Sequence, residues 1–248
     1  FGASGAITCT YYGNGVNYTF YVPEAVAYLT LTGSKTVNLT YSGANDSYIQ
    51  TNASLSTPTK AASFNLNVTA GTYTLYWKPS PFDNINFTGF SGTFRTGGGG
   101  TQFYIFGDLT LSSSMLFYPG SISWYFEATS GTQTITSNGC VVSGVQFIKS
   151  LASTATGSTL TLADNLDMTS ASACGITINA GTFDANNKNV TTSFLTSTGT
   201  ATRTVTMGSG TYNLYGVNPI SFSGSNLTLN SNTSQTNLTN TKIGRAHV

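Results

Sequence analysis

Hydrophobic and polar residues alternate along much of this chain, and that pattern predicts β-strands. In SISWYFE, the hydrophobic residues Ile122, Trp124 and Phe126 occupy every second position, and STLTLAD and SNLTLN show the same two-residue period. No stretch keeps a sustained helical period. The pattern therefore predicts an all-β protein.

A short unit recurs along the chain at a spacing typical of solenoid coils. The segments NVTAGTYTLYW (67–77) and VTMGSGTYNLYG (205–216) each combine a strand, a turn of small residues and the motif GTYxLY. When looser copies are included, many of these units lie roughly 20 to 30 residues apart along the chain, which is the range expected of stacked coils. Glycine permits the sharp turn, and threonine starts the next strand. We therefore predict a parallel β-helix (β-solenoid), with a β-sandwich or jelly roll as the alternative.

The character of the sequence changes near its middle and again at its end. Aromatic residues concentrate in 1–150, whereas 151–242 is richer in Thr and Asn. We expect one solenoid across 1–242, built from aromatic-rich coils and then Thr/Asn-rich coils. The final IGRAHV (243–248) breaks the strand pattern and matches the translation of a common sequencing-adapter read-through. We predict that it is a non-native tail, which would leave the chain without its one histidine, His247.

Charge is scarce, and its scarcity excludes several functions. Charged residues make up 7% of the chain and the net charge is +1, against about 25% charged residues in an ordinary soluble domain. Nucleic-acid binding needs clusters of Lys and Arg, but here these residues are scattered. No apolar run reaches the roughly 20 residues that span a bilayer, so we expect neither nucleic-acid binding nor membrane insertion.

The three cysteines, Cys9, Cys140 and Cys174, show no metal-binding spacing. They form no CxxC pair and have no histidine nearby, which gives no support for a zinc site. Buried free thiols are one interpretation, and a Cys140–Cys174 bridge between neighbouring coils is another. The sequence alone leaves both open.

The units AGTFDANNKNV (180–190) and TATRTVTMGSGTYNL (200–214), with FDNINFTGFSGTF (82–94), resemble the repeats of Gly/Thr-rich β-helix proteins. Such proteins are frequent among phage structural genes and in environmental, especially marine, sequence collections. The resemblance covers about residues 65–94 and 130–240. It implies a structural or adhesive role on a virion or cell surface. The implied partners are other structural subunits or surface glycans, and a homotrimer is one expected assembly because trimers are common in fibres.

Catalytic constellations are weak in this chain of eight acidic residues. The closest pair is Asp164 and Asp167, and a lyase-like site would need Asp184, Lys188 and Arg203 to meet across coils. Asp is also a common turn former, so we interpret these residues as corner residues and predict no catalytic, metal-binding or cofactor-binding residues. In the alternative, a polysaccharide-degrading β-helix, these five side chains would converge in one cleft.

Two aromatic pairs raise the possibility of sugar binding. Tyr76-Trp77 and Trp124-Tyr125 both lie in alternating segments, so one member of each pair faces inward. Large apolar residues in alternation are usually buried, which assigns Trp77 and Trp124 to the core. Tyr76 and Tyr125 are then the outward pair, and we predict that they are the candidate contacts for glycans.

Overall fold

The structure is a computed structural model that describes residues 7–11, 19–22, 35–41, 47–51, 59–60, 63–72, 74–77, 81–96, 102–120, 122–150, 155–168 and 174–239. These residues contain twenty-five β-strands, β1 to β25. Within these ranges no helix is long and apolar enough to cross a membrane. The predicted tail, 243–248, lies outside the described residues. The strands of the first half are β1 Ile7–Tyr11, β2 Thr19–Val22, β3 Lys35–Tyr41, β4 Ser47–Thr51, β5 Phe64–Ala70, β6 Thr74–Trp77, β7 Pro81–Asn86, β8 Thr93–Thr96, β9 Gln102–Ile105, β10 Leu109–Thr110, β11 Leu116–Phe117 and β12 Ile122–Phe126. Those of the second half are β13 Ser130–Thr136, β14 Val145–Lys149, β15 Gly157–Leu162, β16 Leu166–Asp167, β17 Gly175–Ile178, β18 Gly181–Asp184, β19 Val190–Thr192, β20 Phe194–Ser197, β21 Arg203–Thr206, β22 Thr211–Leu214, β23 Ile220–Phe222, β24 Leu227–Asn230 and β25 Gln235–Leu238.

Equivalent strands of successive coils pair side by side and form the faces of a solenoid. The first face is the ladder β9-β12-β14-β17-β20-β23, and the second is β10-β13-β15-β18-β21-β24. Both faces meet at β7, whose start pairs with β9 and whose end pairs with β10. Strand β7 also pairs with β5, which continues to β3 and β1. The third face runs along β2-β4-β6-β8-β11 and continues through single bridges at Val142 and Val141 to β16-β19-β22-β25.

Every pairing between described strands is parallel, which confirms the predicted β-solenoid. A sandwich or jelly roll would pair its strands as antiparallel hairpins, and the described residues contain none. Seven consecutive coils run from β7 to β25, and β1 to β6 pair in the same parallel manner. The register Leu166↔Val190↔Tyr212 gives coils of 190 − 166 = 24 and 212 − 190 = 22 residues, in agreement with the predicted repeat.

The alternating hydrophobic residues fill one continuous core inside the coils. Leu160, Phe183 and Val205 stack one above another on the second face and are fully buried. Aromatic rings fill the earlier coils, where Phe103 stacks on Trp124 at 4.7 Å and Phe94 on Phe117 at 5.6 Å between ring centroids. The same core cluster extends from Phe64 to Leu214, so burial of this apolar interior joins the coils into one body.

Asparagine side chains join the corners of successive coils. The amide of Asn189 donates to Oδ1 of Asn165 at 2.9 Å, and the amide of Thr211 donates to Oδ1 of Asn189 at 2.8 Å. Asn186 and Asn187 have φ values of 50° and 61°, a left-handed conformation that asparagine tolerates better than most residues. Residues 186–189 therefore form a polar corner.

Cys140 and Cys174 are free and buried. The amide of Gly144 donates to Sγ of Cys174 at 3.0 Å, and Sγ of Cys140 lies 3.6 Å from the carbonyl oxygen of Met115. Burial raises the pKa of the Cys140 thiol to about 11, which keeps it protonated and unreactive at neutral pH. The free-thiol interpretation is correct for this pair, and no bridge joins them.

Candidate functional site

The predicted glycan contacts lie on the outer side of two strands, but they differ in accessibility. Trp77 and Trp124 are buried in the core, as predicted. Tyr76, on β6, is half-buried. Tyr125, on β12, is only 7% exposed, because its ring stacks on Tyr104 at 5.4 Å and packs in a small outer cluster. Glycan contact at Tyr76 and Tyr125 stays a prediction, and Tyr76 is the more exposed of the two.

The acidic residues considered for catalysis bind backbone groups at corners. The carboxylate of Asp164 accepts the amides of Ser137 at 2.8 Å and Asn138 at 2.6 Å. Oδ1 of Asp184 accepts the amide of Asn186 at 2.8 Å. These bonds are those of turn-forming residues. Within the described part of the chain, no ion pair joins any two of Asp164, Asp167, Asp184, Lys188 and Arg203.

Arg203 is the one fully buried residue among these five candidate catalytic residues. Its side chain is fully buried, and its guanidinium donates to the carbonyl oxygens of Gly199, Ala201, Ser223 and Ser225 at 2.7 to 3.3 Å. Two of these carbonyls belong to the loop before β21 and two to the loop before β24. Arg203 therefore fixes two neighbouring coils to each other and is not available to a substrate.

A surface recess of about 540 Å³ does bring charged residues together, at the corner between the first and second faces. Its lining includes Asp83, Asp108, Glu127 and Lys60, and Nζ of Lys60 lies 3.6 Å from Oδ1 of Asp83. The three acids come from successive coils, separated by 108 − 83 = 25 and 127 − 108 = 19 residues. Asp83 was interpreted as a corner residue from the sequence, but its grouping with Asp108 and Glu127 was not predicted, because the two separations differ.

Two residues that line this recess, Asn84 and Asp108, belong to a ladder of polar side chains. Oδ1 of Asn65 accepts Nδ2 of Asn84 at 2.7 Å, and Oδ1 of Asn84 accepts the amide of Asp108 at 2.7 Å. Asp108 in turn accepts the amide of Thr134 at 2.7 Å. Gly107 permits this approach, because a Cβ there would lie 2.2 Å from Oδ1 of Asn84. No group of three or more His, Cys, Asp or Glu in the described ranges could hold a metal ion.

Lys149 lies behind the recess and is fully buried. Its Nζ donates to the carbonyl oxygens of Phe126 at 3.1 Å and Ala128 at 3.2 Å, and lies 3.4 Å from Oε1 of Gln133. Burial lowers the pKa of this amine to about 8, and the nearby charge of Glu127 opposes that shift. A buried lysine with a lowered pKa is typical of active sites, but these acceptors and the complete burial give Lys149 a structural role here.

Comparison with known proteins gives no family for this chain. Neither a scan against protein-family models nor searches of curated proteins and solved structures found a match. The structure itself shows an all-β repeat protein that folds as a β-solenoid.

Proposed function

We propose that this chain is a structural or adhesive repeat protein that forms a stiff β-solenoid on a phage particle or a cell surface. The observation that carries the proposal is the set of parallel ladders, which run from coil to coil around one continuous core. Backbone pairing of each coil with the next resists bending and stretching without any dedicated site.

The use of charge supports a structural role. Asp164 and Asp184 bind backbone amides, while Lys149 and Arg203 bind backbone carbonyls inside the molecule. A catalytic groove would instead present such groups to a substrate. The resemblance to repetitive Gly/Thr-rich β-helix proteins points in the same direction.

The location can be tested directly. An antibody raised against the purified chain would be used for immunogold electron microscopy of the producing cells and of the virus particles released from them. Gold on particles or on the outer cell surface is the expected result, whereas labelling confined to the cell interior would overturn the proposal. Light scattering of the purified protein measures the assembly, for which a homotrimer is the expectation.

A polysaccharide-binding or polysaccharide-degrading role is the second candidate, and the acid-lined recess is the observation that favours it. Product release from a panel of polysaccharides, abolished by Glu127→Gln, would support degradation and count against the structural proposal. For binding, a glycan array would compare Tyr76→Ala with Tyr118→Ala, a control at an exposed tyrosine beneath Arg95. Loss of a glycan signal in Tyr76→Ala alone would assign a contact to Tyr76.

A further inference from the structure

The second face carries two aligned rows of polar side chains that no function above uses. In the first row, a threonine of each of five successive coils pairs in register with the next; the residues are Thr132, Thr159, Thr182, Thr204 and Thr228. The second row lies two positions further along each strand and contains Thr134, Thr161, Asp184, Thr206 and Asn230. Five consecutive strands thus carry the pattern Thr-x-Thr, Thr-x-Asp or Thr-x-Asn.

Both rows face away from the core. The residues between them on the first four of these strands, Gln133, Leu160, Phe183 and Val205, are fully buried, whereas the row residues are half-buried or exposed. Of the row threonines, only Thr206 forms a side-chain hydrogen bond with a described residue, accepting Nδ2 of Asn230 at 3.3 Å. The first-row hydroxyls therefore remain available to an external ligand.

The fold turns these rows into a regular two-dimensional array. Adjacent strands lie about 4.8 Å apart, and residues two positions apart on one strand are separated by about 6.6 Å. The pairings that form the rows contain no register shift, so this spacing continues from coil to coil. Threonine is β-branched and restricted at χ1, which keeps each hydroxyl and methyl group in nearly the same place on every coil.

The array is also nearly free of charge. Asp184 is the one charged residue in the two rows, and its carboxylate is engaged by the amide of Asn186 at the adjacent corner. A charged ligand such as a phosphate or an anionic sugar would find no counter-ion on the first row. A hydroxyl both donates and accepts hydrogen bonds, and burial of the methyl group beside it against a ligand surface is favourable. These properties match a neutral, periodic ligand made of donors and acceptors.

Ice is such a ligand, because its surface is a neutral lattice of water molecules that donate and accept hydrogen bonds at fixed spacings. We propose that the second face binds ice crystals, with the first-row threonines holding water in a lattice-like arrangement. This goes beyond the structural role proposed above and depends only on the threonine array, since either a virion or a cell surface could carry the face. A crystalline polysaccharide also presents periodic hydroxyls, and the test below separates it from ice.

The experiment measures inhibition of ice recrystallisation by the purified chain and its partition into a slowly growing ice crystal. Thr204→Lys and Thr182→Lys place a long charged side chain in the first row, on different coils. Thr191→Lys, on the outer side of the third face and also half-buried, is the matched control. Circular dichroism and thermal melting establish that each variant is folded, and two test positions keep the comparison usable if one variant does not fold.

The expected result is that the unmodified chain inhibits recrystallisation and enters ice. Thr204→Lys and Thr182→Lys should each weaken both effects by at least about tenfold, since a difference of that size needs only about 1.4 kcal/mol. Thr191→Lys should retain both effects. The proposal is overturned if the unmodified chain has no effect on ice, or if Thr191→Lys loses as much as Thr204→Lys. Binding to crystalline cellulose or chitin without any effect on ice would also overturn it.

Discussion

At the scale of single residues, four charged side chains bind backbone groups at corners: Asp164, Asp184, Lys149 and Arg203. Arg203 and Lys149 are both fully buried, and each donates to main-chain carbonyls of more than one loop or strand. A charge-assisted hydrogen bond is stronger than a neutral one, so one cation can hold a corner where the chain changes direction. Neither role was evident from the sequence, because Lys149 binds carbonyls 23 and 21 residues away and Arg203 binds that of Ser225, 22 residues away.

Arg203→Met should be strongly destabilising. It removes all the donors that the guanidinium supplies to four carbonyls, and a hydrogen bond from a charged group contributes about 1.5–3 kcal/mol. We expect the free energy of unfolding, measured by chemical denaturation, to fall by at least about 3 kcal/mol. Arg95→Met is the control: Arg95 is exposed and stacks on the Tyr118 ring at 5.1 Å, a contact worth about 0.5–1 kcal/mol. Equal losses in the two variants would contradict this role for Arg203.

Lys149 should make stability depend on pH above neutrality. Burial lowers its pKa from 10.5 to about 8 in the folded state, so between these values the unfolded chain binds more protons than the folded one. Stability therefore increases with pH in this window. Comparison with Lys149→Met cancels the titration of the cysteines and tyrosines. We expect the unfolding free energy of the unmodified chain, relative to Lys149→Met, to rise between about pH 8 and pH 10.5. A constant difference would show that Lys149 is not desolvated.

At the scale of elements, the strands were predictable and their meeting points were not. The two-residue alternation in SISWYFE identifies β12 and its inward residues Trp124 and Phe126, because burial on one face requires that period. Coil length varies, however, and the register shifts between Phe64 and Leu66 where β5 pairs with β7. A change of one residue in a coil alters which corner side chains become neighbours. The grouping of Asp108 and Glu127 therefore could not be read from their spacing alone.

The asparagine ladder gives a test at this scale. Oδ1 of Asn189 accepts the amide of Thr211 in the next coil at 2.8 Å. Asn189→Ala removes this acceptor, whereas Asn189→Asp keeps an oxygen in the same place. We expect a loss of about 0.5–1.5 kcal/mol in the free energy of unfolding for the alanine variant and a smaller loss for aspartate. If chemical denaturation shows the same loss of unfolding free energy for Asn189→Asp as for Asn189→Ala, the ladder is not a source of stability.

At the scale of the whole molecule, the coils share one core and three ladders, so each coil is stabilised chiefly by its neighbours. The core changes in kind along the solenoid, from stacked aromatic rings around Phe103 and Trp124 to smaller residues such as Leu195 and Val205. The inward faces stay matched because the register is kept across Lys149 and Ile178, at the point where the composition changes. The expected change from aromatic-rich to Thr/Asn-rich coils near residue 150 thus lies within a continuous ladder.

The distance between coils on the second face gives the most direct test of the parallel β-solenoid. Spin labels would be introduced through an unnatural amino acid, which leaves the three cysteines in place, at Thr132 together with Thr182, Thr204 or Thr228. These partners lie two, three and four coils from Thr132. Dipolar electron paramagnetic resonance should give narrow distributions whose mean distance increases by about 4.8 Å for each coil. Distances that do not increase in equal steps would contradict the parallel solenoid.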